Sequence, residues 1–274
     1  MPPVRSMLFM PGGRADMIAK IGRFAPDVAV VDLEDAVAPG DKDAARTIAA
    51  GAIDSLADLG PTTLLVRVNP PGTAAFADDV AAAAGCAASG IVVPKLSSLP
   101  QLQEVHRALA RWSWSTAIVV GGIETALGVA DTRLLVGSGL SAVYFGAEDY
   151  VADLGERRTD RGDEVLYARS QVCLAAHLAG IAAVDQAVVA IGDDEQFLSD
   201  AAAGAALGYR GKICVHPRQV ELAHRTFTPT AVEVAHARAV VSAAAKGVGT
   251  VDGQMVDDVH LRMARDVLGR AGQS

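Results

Sequence analysis

Charged side chains recur where apolar, strand-like runs of this sequence end. They come from six or seven runs and carry both signs: Asp32, Glu34, Asp35, Arg67, Lys95, Glu124, Glu148, Asp149, Asp185 and His216. One such charge can simply mark where a strand meets solvent, but its repetition over so many runs favours a shared site. If the runs are parallel strands of one sheet, their C-terminal ends meet at one edge, where ligand sites of such folds lie.

Two of these carboxylates, Glu124 and Asp149, follow neighbouring runs. Adjacent parallel strands lie roughly 4.8 Å apart, so both side chains could reach one ion. A few oxygen ligands that leave room for water and substrate suit Mg²⁺ or Mn²⁺. Zinc prefers histidine and cysteine, which are missing from this pattern. The pair therefore predicts a divalent cation, with Mg²⁺ first and Mn²⁺ as an alternative.

Asp32 and Glu34 are two residues apart, so they share one face of a strand. An unpaired carboxylate inside the fold would be costly, which leaves two arrangements. Either these carboxylates approach the cation through water, or they pair with Arg67 or Lys95. For Asp32 the ion pair is the favoured arrangement. Glu34 and Asp35 are expected nearer the open end, behind the metal ligands. Arg67 is suited to bind a carboxylate or thioester oxygen.

Eight strand-like runs must position these residues. Most are followed by a helical pattern, at intervals of about 25 to 35 residues, the size of a βα unit. They are nearly continuous apolar stretches, which is typical of parallel strands buried on both faces. Eight of them predict an α/β fold, the (β/α)₈ TIM barrel. The runs are 4–10, 28–34, 63–69, 90–95, 116–124, 142–148, 182–188 and 211–216.

The sequence after the eighth run predicts a different structure. We divide the chain into a barrel over 1–217 and a C-terminal helical extension with a lid over 218–274. In that extension the pattern predicts helices over 217–227, 230–246 and 258–270, with a glycine-rich hinge over 247–253. From the residues alone, the favoured role of Asp257 is that of a surface residue at the start of the last helix, which Asp257 or Asp258 would cap.

Composition excludes several classes of protein. The 274 residues carry a formal net charge of −8, which disfavours a nucleic-acid partner because such affinity depends on lysine and arginine. Three cysteines at irregular spacing predict reduced thiols in or near the core. No apolar run reaches the roughly 18 residues of a membrane helix, and the N-terminus lacks a signal core. We expect a soluble, cytoplasmic protein without a membrane partner.

Eight motifs in order along essentially the whole chain resemble one known group of proteins. They are RSMLFMPG at 5–12, VVDLEDAV at 30–37, LVRVNPPGT at 65–73, IVVPK at 91–95, IETALG at 123–128, FGAEDYVADLG at 145–155, CVHPRQ at 214–219 and DGQMVD at 252–257. Together they resemble the citrate lyase beta-subunit-like branch of the HpcH/HpaI aldolase/citrate lyase family, metal-dependent barrel lyases related to malyl-CoA and citramalyl-CoA lyases.

The resemblance implies roles for particular residues. By position in the motifs, Glu124 and Asp149 correspond to the metal ligands, and Arg67 faces the substrate and its enolate. Asp257 corresponds to an acid that acts from a C-terminal lid on a neighbouring subunit. That role implies a homo-oligomer, a trimer or a multiple of one. Glu34 and Asp35 are counted with Arg67 and Asp257 as candidate catalytic residues.

A coenzyme A region is also implied, with Arg14, Lys20 and Lys95 as its candidate contacts. The chain departs from the family pattern at two places: it reads PGGRADM where many relatives have PG-Asp-Arg-Pro, and Val259 stands where a proline is common. Both departures leave the metal ligands untouched, but they bear on lid geometry and acyl preference.

The function implied is Mg²⁺-dependent cleavage or formation of a 3-hydroxyacyl-CoA that bears a carboxylate on the carbinol carbon. The products are an acyl-CoA and a 2-oxo acid, as for citryl-, malyl- or citramalyl-CoA. One alternative is aldol cleavage of a free acid, as in shorter pyruvate aldolases, although the DGQMVD segment argues against it. A second alternative is a non-catalytic subunit of a multiprotein lyase.

Overall fold

Eight parallel strands close into a barrel in the computed structural model, which describes residues 4–56, 59–244 and 249–272. Each strand pairs with the next in sequence, and the eighth pairs with the first, so the (β/α)₈ prediction is confirmed. The strands are β1 Ser6–Pro11, β2 Val28–Asp32, β3 Thr63–Arg67, β4 Gly90–Val93, β5 Ile118–Ile123, β6 Ala142–Phe145, β7 Ala182–Asp185 and β8 Gly211–Cys214.

Helices alternate with these strands and continue along the chain after β8. They are α1 Ala15–Ile18, α2 Ile21–Phe24, α3 Lys42–Asp54, α4 Phe76–Ala84, α5 Leu99–Arg111, α6 Ala126–Ala130, α7 Thr132–Val136, α8 Ala147–Asp153, α9 Asp163–Ala179, α10 Asp194–Leu207, α11 Pro217–Phe227, α12 Ala231–Ala244 and α13 Asp258–Arg270. Asp193 caps α10 by accepting a hydrogen bond from the backbone N–H of Gln196. Gly180 ends α9 in the left-handed conformation, with φ of 69°.

The alternation of side-chain direction along each strand decides which residues fill the barrel. Alternate strand residues point inward, and the lower interior is packed with apolar side chains such as Val28, Val30, Leu65 and Val120. Continuing by twos along β2 brings Asp32 to the same inner face. The same count brings Arg67 inward on β3 and Glu124 inward just after β5. Charged side chains therefore replace apolar ones on this inner face at the C-terminal end of the barrel, here called the mouth.

Asp185 points to the outer face of its strand, so the expectation that it joins the charges at the mouth is wrong. Its carboxylate is fully buried on the outer side of β7, between the sheet and the surrounding helices. There it accepts hydrogen bonds from Arg169 Nε at 2.8 Å and Lys212 Nζ at 2.9 Å. Both cations also pair with Asp200 of α10. Asp185 thus belongs to a buried ion network that attaches α9 and α10 to the sheet.

Contacts divide the chain into two compact units, Met1–His224 and Arg225–Ser274. In the second unit, α12 and α13 share a small apolar core with the short strands β9 Gly249–Val251 and β10 Gln254–Val256. The boundary at 217/218 and the lid role stay predictions.

The glycine-rich segment is a hairpin where the structure describes it, which corrects the expected hinge over 249–253. Asp252 and Gly253 take φ of 52° and 78°, the pair of positive values that an Asp-Gly hairpin turn requires. Residues 247 and 248 lie outside the described residues. Cys86, Cys173 and Cys214 are free cysteines, the last two buried. Across the described ranges, no helix has the length and apolarity to cross a membrane.

Candidate active site

A cavity of about 360 Å³ opens at the mouth of the barrel. One part of its wall is apolar, and the other carries most of the charges that the sequence placed at strand ends. The apolar wall comes mainly from Phe9, Ala187, Ile213 and Val215, and the charged wall from Asp32, Asp35, Arg67, Glu124, Glu148 and Asp149. The structure thus brings both candidate metal ligands and Arg67 into one chamber.

Arg67 is held by a two-pronged ion pair with Asp32. Its Nε and Nη2 each donate to one oxygen of Asp32 at 2.7 Å, which confirms the ion pair favoured from the sequence. The guanidinium also lies over the Phe9 ring, 5.2 Å from its centroid. Burial lowers the pKa of Arg67, but its hydrogen bonds to Asp32 and the nearby negative charges outweigh burial and raise the pKa. The arginine therefore stays charged and fixed in direction.

Glu34 lies behind Arg67, with a side chain only 4% exposed. Its Oε1 accepts a hydrogen bond from Lys95 Nζ at 2.7 Å. Its Oε2 lies 2.9 Å from Arg67 Nη1, yet it has no hydrogen-bond partner among the described residues. Burial raises the pKa of Glu34 to about 7, against the opposing charges of Arg67 and Lys95. Asp35 is more exposed and lies 3.4 Å from Lys95 Nζ.

Glu124 is almost completely buried, at 2% exposure. Its Oε1 accepts hydrogen bonds from the backbone N–H of Lys95 at 2.7 Å and from the Tyr144 hydroxyl at 3.0 Å. Burial, followed by the charges of Asp149 and Glu34, raises the pKa of Glu124 to about 8. Its Oε2 faces Gly146, where an added Cβ would lie only 2.1 Å away. Glycine at 146 is thus required for this carboxylate to fit.

Asp149 lies in the first turn of α8, with a side chain 35% exposed. Its Oδ1 is 3.4 Å from Lys95 Nζ. At the other end of α8, Asp153 accepts a hydrogen bond from the backbone N–H of Ala126 at 2.8 Å. Asp153 therefore ties the helix that carries Asp149 to the first residue of α6, two positions after Glu124.

The donor set fits one hard divalent cation. Among the described residues, no three histidine, cysteine or acidic side chains converge as they do in a closed metal centre. Two carboxylates with open positions for water and substrate are nevertheless a common Mg²⁺ arrangement. The buried Glu124 carboxylate, whose pKa is raised by burial and by the charges of Asp149 and Glu34, indicates excess negative charge at the mouth. A divalent cation would offset that charge.

Three further predicted residues are Arg14 and Lys20, near the N-terminus, and Asp257, in the second unit. Arg14 and Lys20 are exposed, and both approach Asp16, at 2.8 Å and 3.9 Å respectively. Neither lines the cavity. Asp257 caps α13 by accepting hydrogen bonds from the backbone N–H groups of Val259 and His260. The coenzyme A contacts and the action of Asp257 from a lid stay predictions.

Two residues that shape the site, Tyr144 and Lys42, were missed by the sequence reasoning. Tyr144 is uncharged and so did not stand out, although its spacing from Ala142 predicts an inward position. Lys42 donates to the backbone carbonyls of Leu33 and Glu34 at 2.8 and 2.6 Å, and so holds the loop after β2. No local motif marks that contact, because Lys42 belongs to the following helix.

Comparison with known proteins shows which family this chain resembles. Residues 5–217 match the HpcH/HpaI aldolase/citrate lyase family. A citrate lyase subunit beta-like protein of Deinococcus radiodurans is 47% identical, with 97% of this chain and 98% of the relative covered. A (3S)-malyl-CoA thioesterase of Cereibacter sphaeroides is 33% identical, with 98% and 95% covered.

Solved structures agree with the sequence relatives. The protein CitE from Mycobacterium tuberculosis, in complex with magnesium, acetoacetate and coenzyme A, superposes with a TM-score of 0.84. It is 32% identical, and 99% of each chain is covered. The chain therefore belongs to the HpcH/HpaI aldolase/citrate lyase family.

Proposed function

We propose that this protein is a Mg²⁺-dependent carbon–carbon lyase acting on a coenzyme A thioester. Its substrate would be a 3-hydroxyacyl-CoA with a carboxylate on the carbinol carbon, and its products an acyl-CoA and a 2-oxo acid. One observation carries the proposal: Glu124, Asp149 and Arg67 line one chamber at the mouth. The magnesium and coenzyme A bound by the Mycobacterium tuberculosis relative support the choice of ion and thioester.

Glu124 and Asp149 are the residues that would hold the cation. When bound there, Mg²⁺ would act as a Lewis acid that polarises substrate oxygens and neutralises the charge developing on them. The rest of the reaction depends on the residues around it. The hydroxyl group loses its proton to a base, the bond between C2 and C3 breaks, and the electron pair passes to the thioester enolate.

Arg67 is placed to stabilise that enolate. Two of its nitrogens are engaged by Asp32, whereas Nη1 makes only an ion-pair contact with Glu34. An oxygen that gains negative charge would meet a cation already fixed in position, which is the most effective form of electrostatic stabilisation. The apolar wall of Phe9, Ile213 and Val215 would limit water around the enolate. A proton then returns to C2, and Asp257 of the proposed lid is a candidate for one of these two proton transfers.

The proposal is tested with acetyl-CoA, Mg²⁺ and a panel of 2-oxo acids, followed by mass analysis of the acyl-CoA pool. We expect one or more new acyl-CoA adducts, absent with a chelator and absent with Glu124→Gln. Free coenzyme A should be measured in the same samples, because one relative is a thioesterase. Adducts between free pyruvate and an aldehyde would instead indicate a free-acid aldolase. No product from any pair would contradict the proposal.

A further inference from the structure

The ammonium group of Lys95 lies in an unusual position at the mouth. Its Nζ is 2.7 Å from Glu34 Oε1, 3.4 Å from Asp35 Oδ1 and 3.4 Å from Asp149 Oδ1. Two of these carboxylates follow β2, and the third lies on α8 after β6. One lysine thus bridges opposite parts of the rim, and one of its partners is a candidate metal ligand.

The backbone of Lys95 is equally constrained. The residue takes φ of 51°, a left-handed conformation that a lysine rarely adopts. Its N–H donates to Glu124 Oε1 at 2.7 Å, and the next N–H, of Leu96, donates to the carbonyl of Gly122 at 3.0 Å. Lys95 therefore contacts both candidate metal ligands, Glu124 through its backbone and Asp149 through its ammonium. Its side chain starts from a fixed point and cannot move far from the rim.

The mouth holds more carboxylates than cationic side chains. Five carboxylates contact Arg67 or Lys95, so the cluster carries 5 − 2 = 3 net negative charges when all groups are ionised. They are Asp32, Glu34, Asp35, Glu124 and Asp149. Asp32 already engages Arg67 through two hydrogen bonds. The Lys95 ammonium lies close to Glu34, Asp35 and Asp149. A divalent ion at Glu124 and Asp149 would repel it.

We propose that the Lys95 ammonium is a tethered counter-ion that competes with the divalent cation and weakens its binding, rather than a contact for coenzyme A. Without the divalent ion, the ammonium neutralises part of the carboxylate cluster. With the ion bound, it withdraws from Asp149 and stays with Glu34 and Asp35. This inference rests on the proposed cation site at Glu124 and Asp149, and it adds a residue that sets the affinity of that site.

The opposite role is an organising one, in which Lys95 holds Glu34 and Asp149 apart in the geometry the ion needs. The two roles predict opposite effects of neutralising the side chain. A competitor's removal tightens metal binding, whereas an organiser's removal weakens it. Backbone contacts do not distinguish them, because any side chain at 95 leaves the N–H bond to Glu124 in place.

Direct metal binding provides the test, by titrating Mn²⁺ against the protein and following the free ion by electron paramagnetic resonance. We compare the unaltered protein with Lys95→Met, Lys95→Gln, Lys95→Arg and Glu124→Gln at one pH and ionic strength. Removing a unit charge this close to the ion should lower Kd by at least about tenfold in Lys95→Met and Lys95→Gln. Lys95→Arg keeps the charge and should stay within about threefold of the unaltered protein.

Each outcome is decisive. Unchanged or weaker Mn²⁺ binding in both neutral variants overturns the inference, and a melting curve of each variant confirms that it is folded. Equal binding by the unaltered protein and Glu124→Gln would instead remove the cation site itself, and with it the proposed function. If the unaltered protein binds and Glu124→Gln does not, the comparison among the Lys95 variants judges this inference alone.

Discussion

Asp32 and Arg67 are directly opposite each other in the register of β2 and β3, and their side chains form two 2.7 Å hydrogen bonds at the mouth. Strand pairing therefore positions the arginine before any ligand arrives. Because both residues have inward parity, the pair lies on top of the apolar barrel interior and forms part of the cavity floor. The reactive charge is set by sheet geometry rather than by a loop.

Replacing Asp32 with asparagine should weaken both stability and catalysis. The change removes the charge that Arg67 faces, and we expect the free energy of unfolding to fall by up to about 3 kcal/mol, with Glu34 limiting the loss. Urea unfolding measures this effect, and kcat should fall because Arg67 loses its orientation. Asp16→Asn, which breaks the exposed pair with Arg14, is the matched control and should leave the unfolding midpoint nearly unchanged. An equal effect in both variants would contradict the prediction.

Glu124→Gln and Asp149→Asn should each abolish Mg²⁺-dependent turnover without lowering the melting temperature of the metal-free protein. The reason is that each change removes a negative charge from the carboxylate cluster at the mouth, where carboxylates outnumber cationic side chains. Turnover and thermal melting are measured side by side, with and without a chelator. Full activity in the chelator, or in either variant, would show that the cation is held elsewhere.

Gly146→Ala should disrupt the site while the fold remains. An added Cβ would lie 2.1 Å from Glu124 Oε2, so the carboxylate must move, and we expect turnover to drop by at least tenfold. Gly51→Ala in the middle of α3 is the control, because nothing lies within 4 Å of its added Cβ. That control should stabilise the protein by roughly 0.5–1 kcal/mol. Normal activity in Gly146→Ala would mean that Glu124 can shift without consequence.

The stability of the fold should decrease at alkaline pH through the buried Cys214 thiol. Burial raises the pKa of Cys214 from 9.0 to about 12, so the unfolded chain loses this proton first. The contribution is complete below pH 9 and declines as pH rises towards 12, by about 1.4 kcal/mol per pH unit. Urea unfolding between pH 8 and pH 11 measures it. The unaltered protein should lose stability relative to Cys214→Ala over that range, and parallel curves would refute the assignment.

Asp257 should act in a homo-oligomer, on the mouth of a neighbouring subunit. Asp257→Ala and Arg67→Ala should each be inactive, because each lacks one part of the proposed machinery. Mixed after dissociation and reassociation, the two should regenerate some activity in hybrid oligomers. Sedimentation of the unaltered protein as a monomer, or an inactive mixture of two refolded parents, would exclude action between subunits.

Much of the fold was predictable because the pattern is strong. All eight predicted runs overlap a barrel strand, although seven strands end one to three residues earlier than expected and β1 ends one residue later. The cause is physical: the loops at the mouth stay buried after pairing stops, so the apolar pattern continues into them. Leu33 and Val68 lie just beyond β2 and β3 and are still buried.

The errors of the sequence analysis arose where a residue type was interpreted without the direction of its side chain or the turn that it forms. Asp185 looked like another charge at a strand end, but its parity turns it away from the mouth. The glycines near 253 looked like a hinge, although the Asp-Gly pair is itself a hairpin signal. Contacts such as that from Asp153 to the Ala126 N–H join distant parts of the chain, and no local pattern reveals them.

Strand β8 separates two tasks between neighbouring residues. Ile213 lines the cavity, whereas Lys212 points to the other side and completes the buried ion network with Asp185 and Asp200. A library that aims to change the proposed acyl preference can therefore vary Ile213, Val215 and Ala187, with apolar replacements at Ile213 because it also packs in the barrel core. Lys212 must stay constant in such a library, because its loss would leave the buried Asp185 and the partly exposed Asp200 with one cation fewer. Of the partners described for this network, Arg169 would remain, and we expect the fold to be destabilised.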